Sequence, residues 1–136
     1  MGRILAIDFG EKRTGIAVTD ELQIIASGLT TVKTPELLSF LKEYTEKENV
    51  ELIVVGQPKR LNNEFSDVEQ VIVTYIEKIR ASFPNLPIER VDERFTSKIA
   101  FQSMIDGGVK KKQRRNKELL DEVSATVILQ SYLYSK

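Results

Sequence analysis

Three acidic positions stand where catalysis could use them. Asp8 interrupts an apolar run, Arg3-Ile4-Leu5-Ala6-Ile7-Asp8-Phe9-Gly10. An unpaired carboxylate is costly to bury, so Asp8 is expected to face a cleft, a cation or a strong hydrogen-bond partner. Asp92 and Glu93 follow Pro87-Ile88-Glu89-Arg90-Val91, at the carboxyl end of a predicted strand, the edge where open α/β sheets bind ligands. Adjacent strand side chains point to opposite faces, so only one of this pair can face Asp8. Asp121 lies in a segment of helical period and shares a face with Ser124, Ala125 and Ile128, away from Glu122, Thr126 and Gln130. The small residues Ser124 and Ala125 would let that helix approach the sheet closely and bring Asp121 toward Asp8 and Glu93.

The chain has no cysteine and no histidine. That excludes disulfides, cysteine-histidine zinc sites, thiol nucleophiles and serine-histidine dyads. Three carboxylates meeting without histidine form an oxygen-rich site suited to Mg²⁺ or Mn²⁺. Two such ions can activate water and stabilise the leaving oxygen of a phosphodiester. Each acid also has a purely structural reading. Asp8 could bond the amides of the next turn, Asp92-Glu93-Arg94 could be a surface turn with a local ion pair, and Asp121 could favour a helix amino terminus.

The net charge is zero, with 20 basic and 20 acidic residues, so any case for nucleic acid rests on where the charges cluster. They cluster in Lys110, Lys111, Lys112, Arg114, Arg115 and Lys117, just before the segment bearing Asp121. Lys12 and Arg13 follow Asp8, Lys59 and Arg60 follow Gly56, and Arg94 follows Glu93. Basic groups around an acidic centre suit a substrate whose neighbouring phosphates need neutralising. A charge run is also, more simply, a solvated face.

The 136 residues, 41% of them hydrophobic, suit one α/β domain over residues 1–136, since two halves would each have too small a core. Arg3–Gly10 and Gly15–Thr19 read as a strand hairpin, with a third strand within Ile24–Val32. Thr34 can cap a helix that has Pro35 at its first position and runs to about Lys47. Glu51–Gly56 reads as a strand buried on both faces. Ser66-Asp67-Val68-Glu69 has capping-box spacing, and Val68, Val71, Ile72, Tyr75, Ile76 and Ile79 continue it at helical spacing. Pro87–Val91 reads as a strand, followed by a helix from Thr96 or Ser97 to roughly Asp106, and a last helix starts near Glu118. The order predicts a mixed five-stranded sheet with helices on both faces, the RNase H-like order. No apolar run approaches the roughly 20 residues that span a bilayer, and Met1-Gly2-Arg3 does not open a cleavable signal. A cytoplasmic protein without membrane attachment is expected.

Leu5-Ala6-Ile7-Asp8-Phe9-Gly10-Glu11-Lys12-Arg13-Thr14-Gly15-Ile16-Ala17-Val18-Thr19-Asp20 resembles the opening motif of the YqgF or RuvX family. Val54-Val55-Gly56-Gln57-Pro58 is similar to its glycine-proline loop, and Asp92-Glu93-Arg94-Phe95-Thr96-Ser97 to its acidic motif. Gly108-Val109 with the basic run resembles its flexible arm, and Leu120-Asp121-Glu122-Val123-Ser124-Ala125 its last motif. The resemblance covers nearly the whole chain. It implies an RNase H-like fold and activity either as a Holliday junction resolvase or as a nuclease maturing the 16S ribosomal RNA precursor. It also implies that Asp8, Glu93 and Asp121 bind the metal and catalyse. Gln57 replaces the usual leucine of the glycine-proline motif, and Asn62-Asn63-Glu64 stands in place of that loop's usual pattern.

The leading expectation is a metal-dependent nuclease using Mg²⁺ or Mn²⁺, with structured RNA favoured over branched DNA as its substrate. Lys12, Arg13 and Arg94 would steady phosphates and the Lys110–Lys117 arm would grip the backbone. A non-catalytic RNA-binding or ribosome-assembly factor is the competing class. A sugar-kinase or actin-like ATPase shares the opening hairpin, but closes two such domains around its nucleotide. Monomer and homodimer both stay open, the two-fold dimer suiting a symmetric junction.

Overall fold

The computed structural model describes residues 2–57, 69–92 and 117–135. Five strands form one mixed sheet: β1 (Arg3–Asp8), β2 (Arg13–Thr19), β3 (Ala26–Lys33), β4 (Val50–Gln57) and β5 (Ile88–Asp92), in the order β3-β2-β1-β4-β5. β1, β2 and β3 pair antiparallel, while β1–β4 and β4–β5 pair parallel. The central strands are the apolar ones, with Ile4–Ile7 of β1 and Ile53–Gly56 of β4 buried, as strands covered on both faces must be.

Among the described residues, three helices cover the two faces. α1 (Leu37–Lys47) and α2 (Glu69–Ser82) lie on one, where Leu37, Leu41, Ile72, Ile76 and Ile79 pack on Leu5, Ile7, Ile16, Ile53 and Val55. α3 (Lys117–Ser135) covers the other, with Ala125, Ile128 and Leu129 against Ile4, Ala6, Ala17 and Val54. The alternation along β1 and β4 therefore feeds both layers, and each fully buried leucine or isoleucine contributes about 1.5–3 kcal/mol. No helix among the described residues is long and apolar enough to cross a membrane.

Two local expectations are corrected. Thr34 does not cap a helix through its side chain: Thr34–Glu36 forms a 3-10 turn, with Lys33 at its N-cap position, and α1 starts only at Leu37. The Thr34 hydroxyl is drawn instead to the β1–β2 turn, where its partners are buried and need satisfying. Val71, counted in the helically spaced apolar set, is 40% exposed, because the buried stripe of α2 runs through Ile72, Ile76 and Ile79. The expected capping residues Ser66 to Val68, the expected helix after Thr96, and residues 58–68 and 93–116 in general lie outside the described residues.

The β2–β3 turn is set by Asp20, whose Oδ1 accepts the amides of Ile24 (2.8 Å) and Ile25 (2.9 Å). Those bonds favour the carboxylate and hold its pKa below the ordinary value. Gln23, at φ 59°, donates from Nε2 to the Gly2 carbonyl (2.8 Å) and to Glu51. The turn is thereby tied to the start of β1 and to β4.

On the α3 face, Tyr132 donates its hydroxyl to Glu89 of β5, which with burial pushes the phenol pKa up to about 12. A folded-state pKa above the ordinary 10.0 means stability that is complete below pH 10 and lost as pH rises toward 12. Tyr132→Phe is expected to cost about 1 kcal/mol, discounted for partial exposure. Urea titrations of both proteins should show that difference at neutral pH and its shrinkage between pH 10 and 12.

Candidate active site

The carboxyl-terminal ends of β1, β4 and β5 form one edge of the sheet. Ile7 is level with Val55, Gly56 with Val91, and Gln57 with Asp92, so Asp8, one residue past Ile7, stands level with Gly56. One strand separates β1 from β5, which puts their axes about 10 Å apart. Asp8 is half-buried, at the end of a strand whose preceding four residues are buried. Ala6, two residues before Asp8, and Val91, two residues before Glu93, both belong to the apolar cluster beneath α3.

Position 121 lies on α3, three residues before Ser124 and four before Ala125, both buried against the sheet, and seven before fully buried Ile128. The partition expected from the sequence holds where it is described: Gln130 is exposed and Thr126 intermediate.

The turn after Asp8 is held by a chain of hydroxyls. Thr34 Oγ1 donates to the Gly10 carbonyl at 2.5 Å, and its 2.9 Å contact with Thr14 Oγ1 then takes its proton from Thr14. The Thr34 amide donates to the Lys12 carbonyl (3.0 Å). Gly10 is required sterically, because a Cβ there would sit 2.3 Å from the Arg13 carbonyl oxygen. This turn presents Lys12, which is exposed, and Arg13, the first residue of β2. Both line a groove of about 760 Å³ together with Thr31, Lys33, Glu11 and Glu36. Lys33 escaped the sequence reading because it is distant in the chain; its register partner across the sheet is Arg13.

A second polar cluster was also missed. Arg90 of β5 forks onto Glu69 at the start of α2, with Nη2–Oε1 at 2.6 Å and Nη1–Oε2 at 3.1 Å. Arg90 also donates to the carbonyls of Val55 (3.2 Å) and Gly56 (3.0 Å), and Gln57 Nε2 donates to Glu69 Oε2 (3.0 Å). The Glu69 carboxylate is thus engaged by β4 and β5; the helix cap onto which it was expected to turn back lies outside the described residues.

Asp8 is thus placed on the edge, while Asp121 lies within the span of α3 with its side chain outside what the structure describes. Glu93, Arg94, Lys110, Lys111, Lys112, Arg114 and Arg115 lie outside the described residues, as do Lys59 and Arg60. Lys117 opens α3. Among the described residues no group of three acidic side chains is gathered closely enough to hold a metal ion.

The sequence profile described as RuvX, Holliday junction resolvase, matches residues 2–135. The chain belongs to the RuvX Holliday junction resolvase family. This is a nuclease family. A relative from Phocaeicola vulgatus, named "Putative pre-16S rRNA nuclease", is 61% identical over 136 residues, covering 100% of this chain and 98% of its own. A relative of the same name from Christiangramia forsetii is 60% identical over 134 residues, covering 98% of this chain and 99% of its own. Among solved structures, Thermus thermophilus RuvC in complex with a Holliday junction substrate superposes with a TM-score of 0.60 at 18% identity, over 99% of this chain and 95% of that one. A second structure of Thermus thermophilus RuvC gives 0.58 at 16% identity, over 98% and 95%. The RuvX chain accordingly has the RNase H-like fold that its element order implied.

The turn behind Asp8 can be tested without any substrate. Gly10→Ala is expected to lower stability by about 1–3 kcal/mol, because backbone rather than a flexible side chain must give way. Thr34→Val, which strands the Gly10 carbonyl and the Thr14 hydroxyl, should cost about 1–3 kcal/mol as well. Urea unfolding of the two variants reads both values.

Proposed function

We propose that this RuvX protein is a metal-dependent nuclease that hydrolyses phosphodiester bonds of the 16S ribosomal RNA precursor, with Asp8, Glu93 and Asp121 as its catalytic carboxylates. The observation that carries the reading is the register: Asp8 ends β1 level with Gly56, and Gly56 with Val91, one residue before the ends of β4 and β5 and two residues before Glu93 in the chain. Ala6 and Val91, the in-phase residues before Asp8 and Glu93, lie beneath the helix that carries Asp121.

The donor set fits a hard divalent cation. It is all oxygen, and the chain has neither histidine nor cysteine to draw a softer metal. Asp8, Glu93 and Asp121 would hold Mg²⁺ or Mn²⁺, in a pair, which when bound supply a nucleophilic water at neutral pH and stabilise the leaving oxygen. The protein's own part is to orient and to neutralise. β1 and β4 fix the carboxylate of Asp8 on a strand end, which is stiffer than a loop. Lys12, Arg13 and Lys33 line the adjoining groove and are set to take phosphates next to the scissile one. Arg94 and the arm of Lys110, Lys111, Lys112, Arg114, Arg115 and Lys117 would add contacts along the backbone and make binding salt-dependent.

The precursor RNA is chosen over a four-way DNA junction because relatives at 61% and 60% identity carry the RNA-directed name, whereas the junction-bound neighbour is 18% identical. The reading also takes the protein to be a single domain working in the cytoplasm.

The test is cleavage of labelled precursor 16S RNA fragments and of a four-way DNA junction with Mg²⁺, Mn²⁺ or chelator, comparing wild type with Asp8→Asn. Metal-dependent cutting of the RNA, reduced at least about a hundredfold in the variant, is the expected result. Tight binding without cutting under any condition would point to an assembly factor.

A further inference from the structure

Arg90 ties several parts of the candidate site's frame together. Its guanidinium spends four donor contacts on two elements besides its own strand: both oxygens of Glu69 on α2, and the carbonyls of Val55 and Gly56 on β4. Glu69 is only 8% exposed, and its second oxygen also accepts from Gln57. A largely buried ion pair gains little over apolar residues of the same shape, because desolvation offsets the attraction. What the fork does supply is geometry, since a planar guanidinium fixes direction as well as distance.

The geometry it fixes bears on the carboxylates. Arg90 is two residues before Asp92, and the carbonyls it holds belong to the residues of β4 that stand between Asp8 and the end of β5. α2 braces the Asp8 side too, where Phe9 packs on Tyr75 with ring centroids 4.9 Å apart. One helix therefore contacts the residue after Asp8 through Tyr75 and the approach to Glu93 through Glu69. Gln57, which replaces the leucine usual in the family's glycine-proline motif, belongs to this network as the donor that completes the Glu69 carboxylate.

We propose that Gln57, Glu69 and Arg90 are positioning residues: together they clamp the ends of β4 and β5 and so set the spacing between Asp8 and the end of β5 on which cation binding depends. The inference rests on the nuclease reading above. It assigns to Gln57 a polar role in this chain rather than a packing one.

The clamp can be removed without leaving a buried charge. The triple variant Gln57→Leu, Glu69→Met, Arg90→Met replaces it with apolar groups, and Arg90→Lys keeps the charge while removing the fork; the latter serves alone if the triple variant does not fold. Two readouts are taken on the full chain: Mn²⁺ affinity by calorimetry with the metal alone, and kcat and KM on whichever nucleic acid the wild type cuts. Loss of an outer partner of metal ligands typically costs at least about tenfold in affinity or activity. The expected result is a folded variant with Mn²⁺ affinity and kcat each down by at least about tenfold and KM changed less than about twofold. Wild-type Mn²⁺ affinity and kcat in a folded variant would overturn the clamp and leave the nuclease reading standing. A wild type that neither binds Mn²⁺ nor cuts either nucleic acid would remove the nuclease reading, and the clamp's role with it.

Discussion

The parallel pairing of β4 between β1 and β5 is the constraint on which the rest of the structure depends. Its register decides that Asp8 and the end of β5 share one edge; a slip of one residue would turn each side chain to the opposite face. The register is enforced from both sides, by Leu5, Ile7, Ile53 and Val55 under α1 and α2, and by Ile4, Ala6 and Val54 under α3. The sheet can carry a half-buried carboxylate at its rim because the apolar residues just behind it are fully engaged. The polar cost is confined to the strand ends, where cations or hydrogen-bond donors can meet it.

From that edge, fold and chemistry connect through short links. The Thr14–Thr34–Gly10 hydroxyl chain joins the turn after Asp8 to the end of β3, so the groove of Lys12, Arg13 and Lys33 keeps a fixed relation to the carboxylate. The Glu69–Arg90 fork joins α2 to β5, and Tyr132 with Glu89 joins α3 to the same strand from the opposite face. β5, an edge strand paired on one side only, is thus fastened by side chains on both faces just before the residues that the nuclease reading needs.

The fold was legible because its signals are local. The runs Arg3–Gly10 and Glu51–Gly56 read as buried strands, and Val68, Val71, Ile72, Tyr75, Ile76 and Ile79 as a helical stripe, of which Ile72, Ile76 and Ile79 are the buried residues. What sequence reading missed depends on long-range partners. Thr34 has the composition and position of a cap, but its hydroxyl is taken by Gly10 and Thr14, 24 and 20 residues away. Glu69 fits a capping box, and nothing local announces that its carboxylate also meets Arg90, 21 residues on. Gln57 looked like a mere departure from a motif until its partner was placed. Such pairs have no period and no fixed spacing, so only the folded chain reveals them.

On the proposed reading, Asp8 and Asp121 converge with Glu93 on one cation site at the edge of β1, β4 and β5. The most direct measurement is a titration of the isotopically labelled protein with Mn²⁺, following which backbone amides its paramagnetism broadens first. The account predicts early broadening at Asp8, Gly56, Gln57, Asp92 and the first turns of α3, abolished by Asp8→Asn. Broadening centred instead on exposed acids such as Glu43 and Glu46 of α1, or unchanged in the variant, would contradict it.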